Sequence, residues 1–152
     1  MKIVLITITF TIGTLLAVHL SMNAAVGNIA RNPRMGNAVF WLVGATMAVL
    51  IALTDWDSEF FTQVRQVPPY LWVAGAIGAC LVFGAAVLIP QLGAGTTNVL
   101  LMAGQVIGGL VIAHFGVLSS PVERINVARI LGTIIMIVGA SMTVMGKMPF
   151  MK

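Results

Sequence analysis

The chain has 152 residues, of which 59% are apolar and only 8% are charged, and its mean hydropathy is +1.05. Water-soluble domains carry about 25% charged residues, so this composition excludes an ordinary soluble fold. The net charge is +4, but the basic residues are scattered without forming a patch, which argues against nucleic-acid binding. The composition therefore indicates an integral membrane protein that lies in a lipid bilayer.

Two uncharged runs at the start of the chain predict the first two membrane helices. Residues 3–26 hold no charge and precede the basic, helix-breaking stretch 31–34, and residues 36–54 are uncharged up to Asp55. Each run is close to the roughly 20 residues that a helix needs to cross hydrocarbon. A cleaved secretory signal is the alternative for the first run, with Lys2 as its basic end, although the run is long for a signal.

The third predicted span covers residues 69–90. Pro68 and Pro69 stand at its start, where a missing amide is tolerated, and Pro90 is expected to end it. Between the second and third spans, apolar residues at helical spacing in 56–64 predict a short helix on the membrane surface. An ordinary polar loop is the alternative for that segment.

One more uncharged run and one run with a single charge complete the set. Residues 96–118 predict the fourth span and residues 126–146 the fifth, in which the long side chain of Arg129 can reach the interface. The predicted fold class is therefore all-α, a polytopic membrane protein with five transmembrane helices. We expect these helices to form a single transmembrane domain over residues 1–152.

The eight Lys and Arg residues divide equally between the two sides of the membrane. Five spans place Lys2, Arg65, Arg124 and Arg129 on one side and Arg31, Arg34, Lys147 and Lys152 on the other. An excess of such residues normally sets orientation, so a balanced chain can insert both ways and pair as an antiparallel, ten-helix homodimer. A chance tie, with orientation set by flanking sequence, is the alternative.

Polar side chains inside the spans are candidate functional residues, because an unpaired polar group in hydrocarbon is unfavourable. The spacing places His19 and Asn23 on one face of the first span, and Asn98 and Gln105 on one stripe of the fourth. These groups could instead only join neighbouring helices by hydrogen bonds, and Trp41 could be an interfacial anchor. The candidate solute-binding residues are His19, Asn23, Trp41, Asn98, Gln105 and His114.

Small residues form two stripes at which helices in lipid can approach closely. Gly104 and Gly108 form a GxxxG pair in the fourth span, and the glycines of the fifth span repeat every seven residues, at Gly132, Gly139 and Gly146. The stripe of the fifth span is either a seam for self-association or a packing surface within one protomer.

No feature of the sequence predicts catalysis, a metal or a cofactor. The spans hold no carboxylate, the two histidines lack paired spacing, and Cys80 is the only cysteine. No hydrolase, phosphate-loop or zinc-protease motif occurs, so we expect no enzyme. His19 is of interest as a group that can exchange a proton near neutral pH.

Four segments carry a more specific pattern of small and polar residues. They are AVHLSMNAAVGNIARNP (Ala17 to Pro33), GAIGACLVFGAAVLIPQLGAG (Gly75 to Gly95), AGQVIGGLVIAHFGVL (Ala103 to Leu118) and ARILGTIIMIVGA (Ala128 to Ala140). With these segments the chain resembles, over nearly its whole length, the short five-helix YdcZ-type proteins of the drug/metabolite transporter superfamily. The resemblance implies an inner-membrane exporter and antiparallel pairing of two five-helix units.

The resemblance also implies roles for particular residues. The polar positions of the family fall on Asn23, Gln105 and His114. The chain departs from the family at His19, where a glutamine is expected, and at Ala113, where an acidic residue is expected. The fourth span therefore lacks the carboxylate that proton coupling at that position would use.

We therefore expect a transporter of a small solute in the bacterial inner membrane, working by alternating access as a dual-topology homodimer. Because the spans contain no acid, neutral or anionic solutes fit better than cationic drugs. The alternative is a small structural or assembly subunit of a larger membrane complex, without transport activity.

Overall fold

A computed structural model describes residues 2–146 of the chain. Within that range the protein is helical, with no β-strand, and five helices are long and apolar enough to cross a membrane. They are Lys2–Ile29 (α1), Pro33–Ala52 (α2), Val73–Leu92 (α3), Ala94–Phe115 (α4) and Val127–Met145 (α5). The predicted all-α class with five membrane helices is confirmed, and the ten-helix dimer stays a prediction.

The second helix begins earlier than the lengths of the uncharged runs suggest. Asn32 caps α2 by accepting a hydrogen bond from the backbone N–H of Met35 at 3.1 Å, and Pro33 occupies the first helical position. Proline suits that position because its fixed φ matches the helix and its missing N–H has no partner there in any case. Arg34 consequently lies in the first turn of α2 instead of in a loop.

The third helix continues past the residue that was expected to end it. A turn of 3₁₀ helix over Pro69–Trp72 leads into α3, and Pro90 lies inside the last turn. A proline so close to the end removes only one intrahelical hydrogen bond. The helix stops at Leu92, and Gly93 has a φ of 85°, which glycine adopts without strain.

The last two helices have ends that their capping residues explain. Gly116 ends α4 in the left-handed conformation with a φ of 61°, so α4 is shorter than the uncharged run 96–118. Asn126 caps α5 by accepting from the N–H of Arg129 at 2.9 Å, and Gly146 ends it. The fifth helix agrees closely with the predicted span.

The segment between α2 and α3 contains three short 3₁₀ turns and one α-helical turn. Its single α-helical turn, Phe60–Gln63, has 4 residues and is followed by a 3₁₀ turn. Residues 60–66 thus form a short helical segment, and its position on the membrane surface stays a prediction. The Trp56 and Phe61 rings contact each other there, with their centroids 5.7 Å apart.

The described residues fall into two compact units, one ending at Gln91 and one beginning at Leu92. In the first unit α1 packs antiparallel to α2, and in the second α4 packs against α5. Most large apolar side chains of both units are exposed, while the buried apolar ones are Leu20, Ala24, Ala85, Ala86 and Ile89. An outer surface of this kind is stable in hydrocarbon and unstable in water. The prediction of a single transmembrane domain stays a prediction.

Candidate functional site

The closest approach of α1 and α2 occurs at two glycines. A Cβ added to Gly36 would lie 3.0 Å from Cα of Gly27, and one added to Gly27 would lie 3.0 Å from Cα of Pro33. The helices therefore touch backbone to backbone, a contact that only small residues allow in lipid. This contact sets the spacing of α1 and α2 and so determines which side chains meet along the next turns.

Next to this glycine contact, an asparagine of α1 meets an asparagine of α2 inside the first unit. Asn23 is 1% exposed, and its Nδ2 donates a hydrogen bond to Oδ1 of Asn37 at 3.0 Å. Nδ2 of Asn37 in turn donates to the backbone oxygen of Ala79 in α3 at 3.5 Å. The two amides form a polar bridge that joins α1, α2 and α3. Oδ1 of Asn23 has no hydrogen-bond partner among residues 2–146, so the bridge contains one buried, unused acceptor.

His19 lies on the same side of α1 as Asn23, as their spacing predicts. Its imidazole meets the ring of Phe40 in α2 edge to face, with the centroids 4.7 Å apart. It also lines a shallow groove of about 260 Å³ with Ile12, Leu15 and Leu16. His19 is exposed on the protomer, so its ring is accessible from the membrane side of the α1–α2 pair.

Trp41 stands one turn beyond Asn37 on α2 and packs toward α3. The edge of its indole lies 3.7 Å from the position that a Cβ on Gly78 would occupy. Because Gly78 has no side chain, the ring rests directly over the α3 backbone. The indole remains 37% exposed, and a role in stacking on a solute stays a prediction.

A groove of about 270 Å³ opens between α2 and α3 beside the amide bridge. Its lining residues are Arg34, Asn37, Ala79, Cys80 and Phe83. The walls are largely apolar, and Arg34 and Asn37 are the side chains in them that carry strong hydrogen-bond donors. The groove therefore combines one positive charge, one amide and an apolar surface.

In the second unit, two of the three predicted residues, Asn98 and His114, form hydrogen bonds with backbone groups of the same unit. Asn98 donates from Nδ2 to the backbone oxygen of Ala94, one turn earlier in α4, at 2.8 Å. Gln105 is exposed. His114 accepts, at Nδ1, a hydrogen bond of 3.1 Å from the backbone N–H of Ile125. The imidazole therefore ties the end of α4 to the loop that leads to α5.

A second contact strengthens that loop. The N–H of Glu123 donates to the oxygen of Ala113 at 2.8 Å, and the Glu123 carboxylate forms an ion pair with Arg129 in the first turns of α5. Arg129 also donates from Nη1 to the backbone oxygen of Glu123 at 3.1 Å. His114 and Arg129 thus hold one loop between two helices.

Most hydroxyl groups of the membrane helices are satisfied locally. Thr46 and Ser141, for example, donate to the backbone oxygen four residues earlier at 2.9 and 2.8 Å. Such hydroxyls need no other partner in lipid. Thr97 differs, because it is 2% exposed and its Oγ1 has no partner in the part of the chain that is described.

The glycine stripes of the second unit do not bring α4 and α5 into close contact with each other. A Cβ on Gly104, Gly108, Gly132 or Gly139 would meet no atom of residues 2–146 within 4 Å. Gly146 has a different role, since it caps α5 at a φ of 61°. The stripes are therefore open surfaces of α4 and α5.

Residues 4–142 match the model of a family described as "Putative inner membrane exporter, YdcZ". The chain belongs to this family. No curated protein and no solved structure matches it. The YdcZ family resemblance predicted from the four segments is confirmed, and so is the location as a multi-pass protein of the inner membrane.

Membership of the YdcZ family supports the broad class of membrane transporter. The particular site residues stay predictions, but the structure brings three of them, His19, Asn23 and Trp41, to contacts among α1, α2 and α3. The other three, Asn98, Gln105 and His114, lie on α4 in the second unit.

Asn37 is a candidate site residue that the sequence did not reveal. The predicted start of the second span at residue 36 put Asn37 at its edge and Arg34 outside it. If Asn32 is interpreted as the helix cap and Pro33 as the first helical residue, Arg34 and Asn37 are both predicted to lie inside α2.

Proposed function

We propose that the protein exports a small neutral or anionic solute by alternating access, working as an antiparallel homodimer. The observation that carries the proposal is the buried bridge from Asn23 through Asn37 to Ala79, because it leaves one acceptor unused inside the membrane. An unsatisfied polar atom in a buried position is unfavourable by about 1–3 kcal/mol, and a solute with a hydrogen-bond donor, such as a hydroxyl group, would remove that penalty.

The proposed site surrounds that bridge. Asn23 and Asn37 supply hydrogen bonds, His19 supplies a proton-exchanging ring and Trp41 an aromatic surface. In the second unit Gln105 is exposed, and we assign its amide to a contact with solute on that unit.

The remaining two candidates of α4 contribute less directly. Asn98 can contact solute through Oδ1, because its Nδ2 is bonded to the helix. His114 uses Nδ1 for the loop, so Nε2 is the nitrogen that can donate to solute.

Two features support pairing of antiparallel copies. The Lys and Arg residues divide four against four between the two sides, with Lys147 and Lys152 lying outside the described residues. The glycine stripes of α4 and α5 do not bring these two helices into close contact with each other, which supports their use as a seam with a second copy. Alternating access would then arise from rocking of two copies around a shared site.

Flux from proteoliposomes, with and without a pH gradient, tests the transport proposal. Gln105→Ala and His19→Ala should each lower efflux of a transported solute about tenfold, the effect of losing one good hydrogen bond. Gln91→Ala is the matched control, because the Gln91 amide donates to the oxygen of Val87 in its own helix. Its efflux should stay within about twofold of the native rate.

The assembly-subunit alternative makes the opposite prediction. If both variants insert and assemble normally while solute flux stays at the native level, or if no solute of a broad panel moves, the exporter proposal is wrong. A cationic solute transported in preference to anionic ones would contradict the proposed substrate class.

The orientation of the chain is tested with a C-terminal reporter that is active on only one side of the membrane. The native chain should show both orientations. Arg65→Ala and Arg31→Ala remove one charge from opposite sides, so they should shift the populations in opposite directions. A single orientation in the native chain, or shifts in the same direction, would contradict dual topology.

A further inference from the structure

We propose that the groove between α2 and α3 binds a small amphiphile with one anionic head group, a carboxylate or a phosphate, which pairs with Arg34. The proposal rests on the proposed function, because it names the substrate class of the site built around Asn37. It assigns the groove to a free solute that passes through the transporter.

The first argument is that Arg34 has no opposite charge on the protein. The chain has only four acidic residues, of which Asp55, Asp57 and Glu59 follow the far end of α2. Glu123 is already paired with Arg129. Within residues 2–146, Arg34 therefore forms no ion pair, although it lines a groove with apolar walls. A guanidinium without a protein partner can bind a carboxylate or a phosphate through two parallel, charge-assisted hydrogen bonds.

The second argument is that a further donor lies beside Arg34 in the same groove. Asn37 has two N–H groups on Nδ2, and its recorded contact with the oxygen of Ala79 uses one of them at 3.5 Å, the longest hydrogen bond of this network. The other N–H can donate to a bound oxygen.

The third argument concerns the shape and chemistry of the rest of the groove. Phe83, Ala79 and Cys80 form its apolar part, and its volume is about 270 Å³. Binding sites for drug-sized molecules usually exceed roughly 300 Å³, so the groove suits a smaller solute. An anionic head group would pair with Arg34 while a short apolar chain packs against Phe83. The guanidinium would repel a cationic head group.

Cys80 makes the groove directly testable. It is the only cysteine of the chain, it is exposed, and it lines the groove, so a thiol reagent reports occupancy without any substitution. The rate of modification by N-ethylmaleimide is measured by intact mass, on the full chain in phosphatidylcholine vesicles. Octanoate and octyl phosphate are the anionic probes, and octanol and octylamine have the same chain length without the negative charge.

We expect the two anionic probes to slow modification of Cys80 about tenfold, while octanol and octylamine slow it less than about twofold. Arg34→Gln should abolish the difference between the probes, and Arg34→Lys should retain part of it because the charge remains. Arg31→Gln is the matched control, since Arg31 does not line the groove and should leave the protection intact.

Several outcomes would overturn the proposal. They are equal protection by all four probes, no protection by any, and full protection in Arg34→Gln. If that variant does not insert, the comparison of octanoate with octylamine on the native chain still decides. A lipid head group as the true occupant would appear as slow modification in phosphatidylglycerol vesicles that octanoate does not slow further, and this would also reject the free solute.

The binding measurement and the flux measurement can reject the groove proposal and the exporter proposal separately. Protection of Cys80 by octanoate without any flux would leave the groove assigned and reject the exporter. Flux of carboxylates that persists in Arg34→Gln, with Cys80 unprotected on the native chain, would reject the groove and leave the exporter.

Discussion

The two units of the molecule use similar polar side chains in opposite ways. In the unit that ends at Gln91, the amides of Asn23 and Asn37 bond across helices and leave one buried acceptor unused. In the unit that begins at Leu92, Asn98 and His114 bond to backbone of their own segment. An asparagine in a membrane helix is therefore not in itself a site, and its contacts decide whether it bridges helices or stabilises one.

The glycines show the same contrast. Gly27 and Gly36 bring α1 and α2 into backbone contact, whereas the stripes of α4 and α5 meet no atom of residues 2–146 within 4 Å. Among the described glycines, close backbone contact between helices of one unit thus occurs in the unit that holds the amide bridge. The open stripes of the other unit are available to a second copy of the chain, as the dimer proposal requires.

The largest expected effect comes from breaking the glycine contact. Gly36→Leu places a side chain against the backbone of Gly27, so α1 and α2 must separate and the amide bridge must open. We expect a loss of stability of about 3 kcal/mol, the upper part of the usual range for overpacking, together with loss of flux. Unfolding of the purified protein in detergent measures the first effect and proteoliposome efflux the second.

Gly44→Leu is the control on the same helix, because a Cβ at Gly44 meets no described atom within 4 Å. It should leave the midpoint of unfolding nearly unchanged. If both leucine variants unfold alike, the contact between Gly27 and Gly36 does not determine the spacing of α1 and α2.

A smaller effect should follow from removing the amide bridge itself. Asn23→Leu and Asn37→Leu each leave one buried amide without its partner, which should lower the free energy of unfolding by about 1–2 kcal/mol. The double variant should lose about 1 kcal/mol less than the sum, because neither amide then remains unpaired. Asn28→Leu, at an exposed position of α1, should have little effect.

Additive losses in this double-mutant cycle would show that Asn23 and Asn37 do not interact in the membrane. The same variants sharpen the functional comparison. If the bridge binds solute, the double variant should fold nearly as well as the single ones and still lose flux, because the donors and acceptors are gone.

The number and position of the membrane helices were predictable because lipid imposes one requirement on every span. About 20 uncharged residues must be continuous, and this pattern is read without knowledge of packing. Helix ends were less certain, since a proline can begin a helix, as Pro33 does, or lie inside its last turn, as Pro90 does. The Asn126 cap and the Gly146 stop gave the fifth helix its clear limits.

The site was predictable only in part. The spacing of His19 and Asn23 correctly predicts a shared side of α1, because that depends on helical geometry alone. The partner of Asn23 depends on which helix packs against α1 and at what height, which no local pattern contains. The contact of His114 with Ile125 could not be predicted for the same reason, because it depends on how the loop folds back onto the end of α4.

The smallest expected effect concerns that loop in the second unit. His114→Ala removes the acceptor for the N–H of Ile125 while the bond from Glu123 to Ala113 and the ion pair with Arg129 remain. One neutral hydrogen bond contributes about 0.5–1.5 kcal/mol, so the Ile125 amide should exchange hydrogen for deuterium about tenfold faster.

His114→Asn keeps an acceptor at the end of α4 and should restore part of the protection of the Ile125 amide, because its side-chain oxygen can take the place of Nδ1. His19→Ala serves as the control, since its contact is with Phe40 and not with the loop. Unchanged exchange at Ile125 in His114→Ala would mean that the loop is held by Glu123 and Arg129 alone. His114 would then be free to contact solute through either ring nitrogen, and the second unit would resemble the first more closely than its hydrogen bonds indicate.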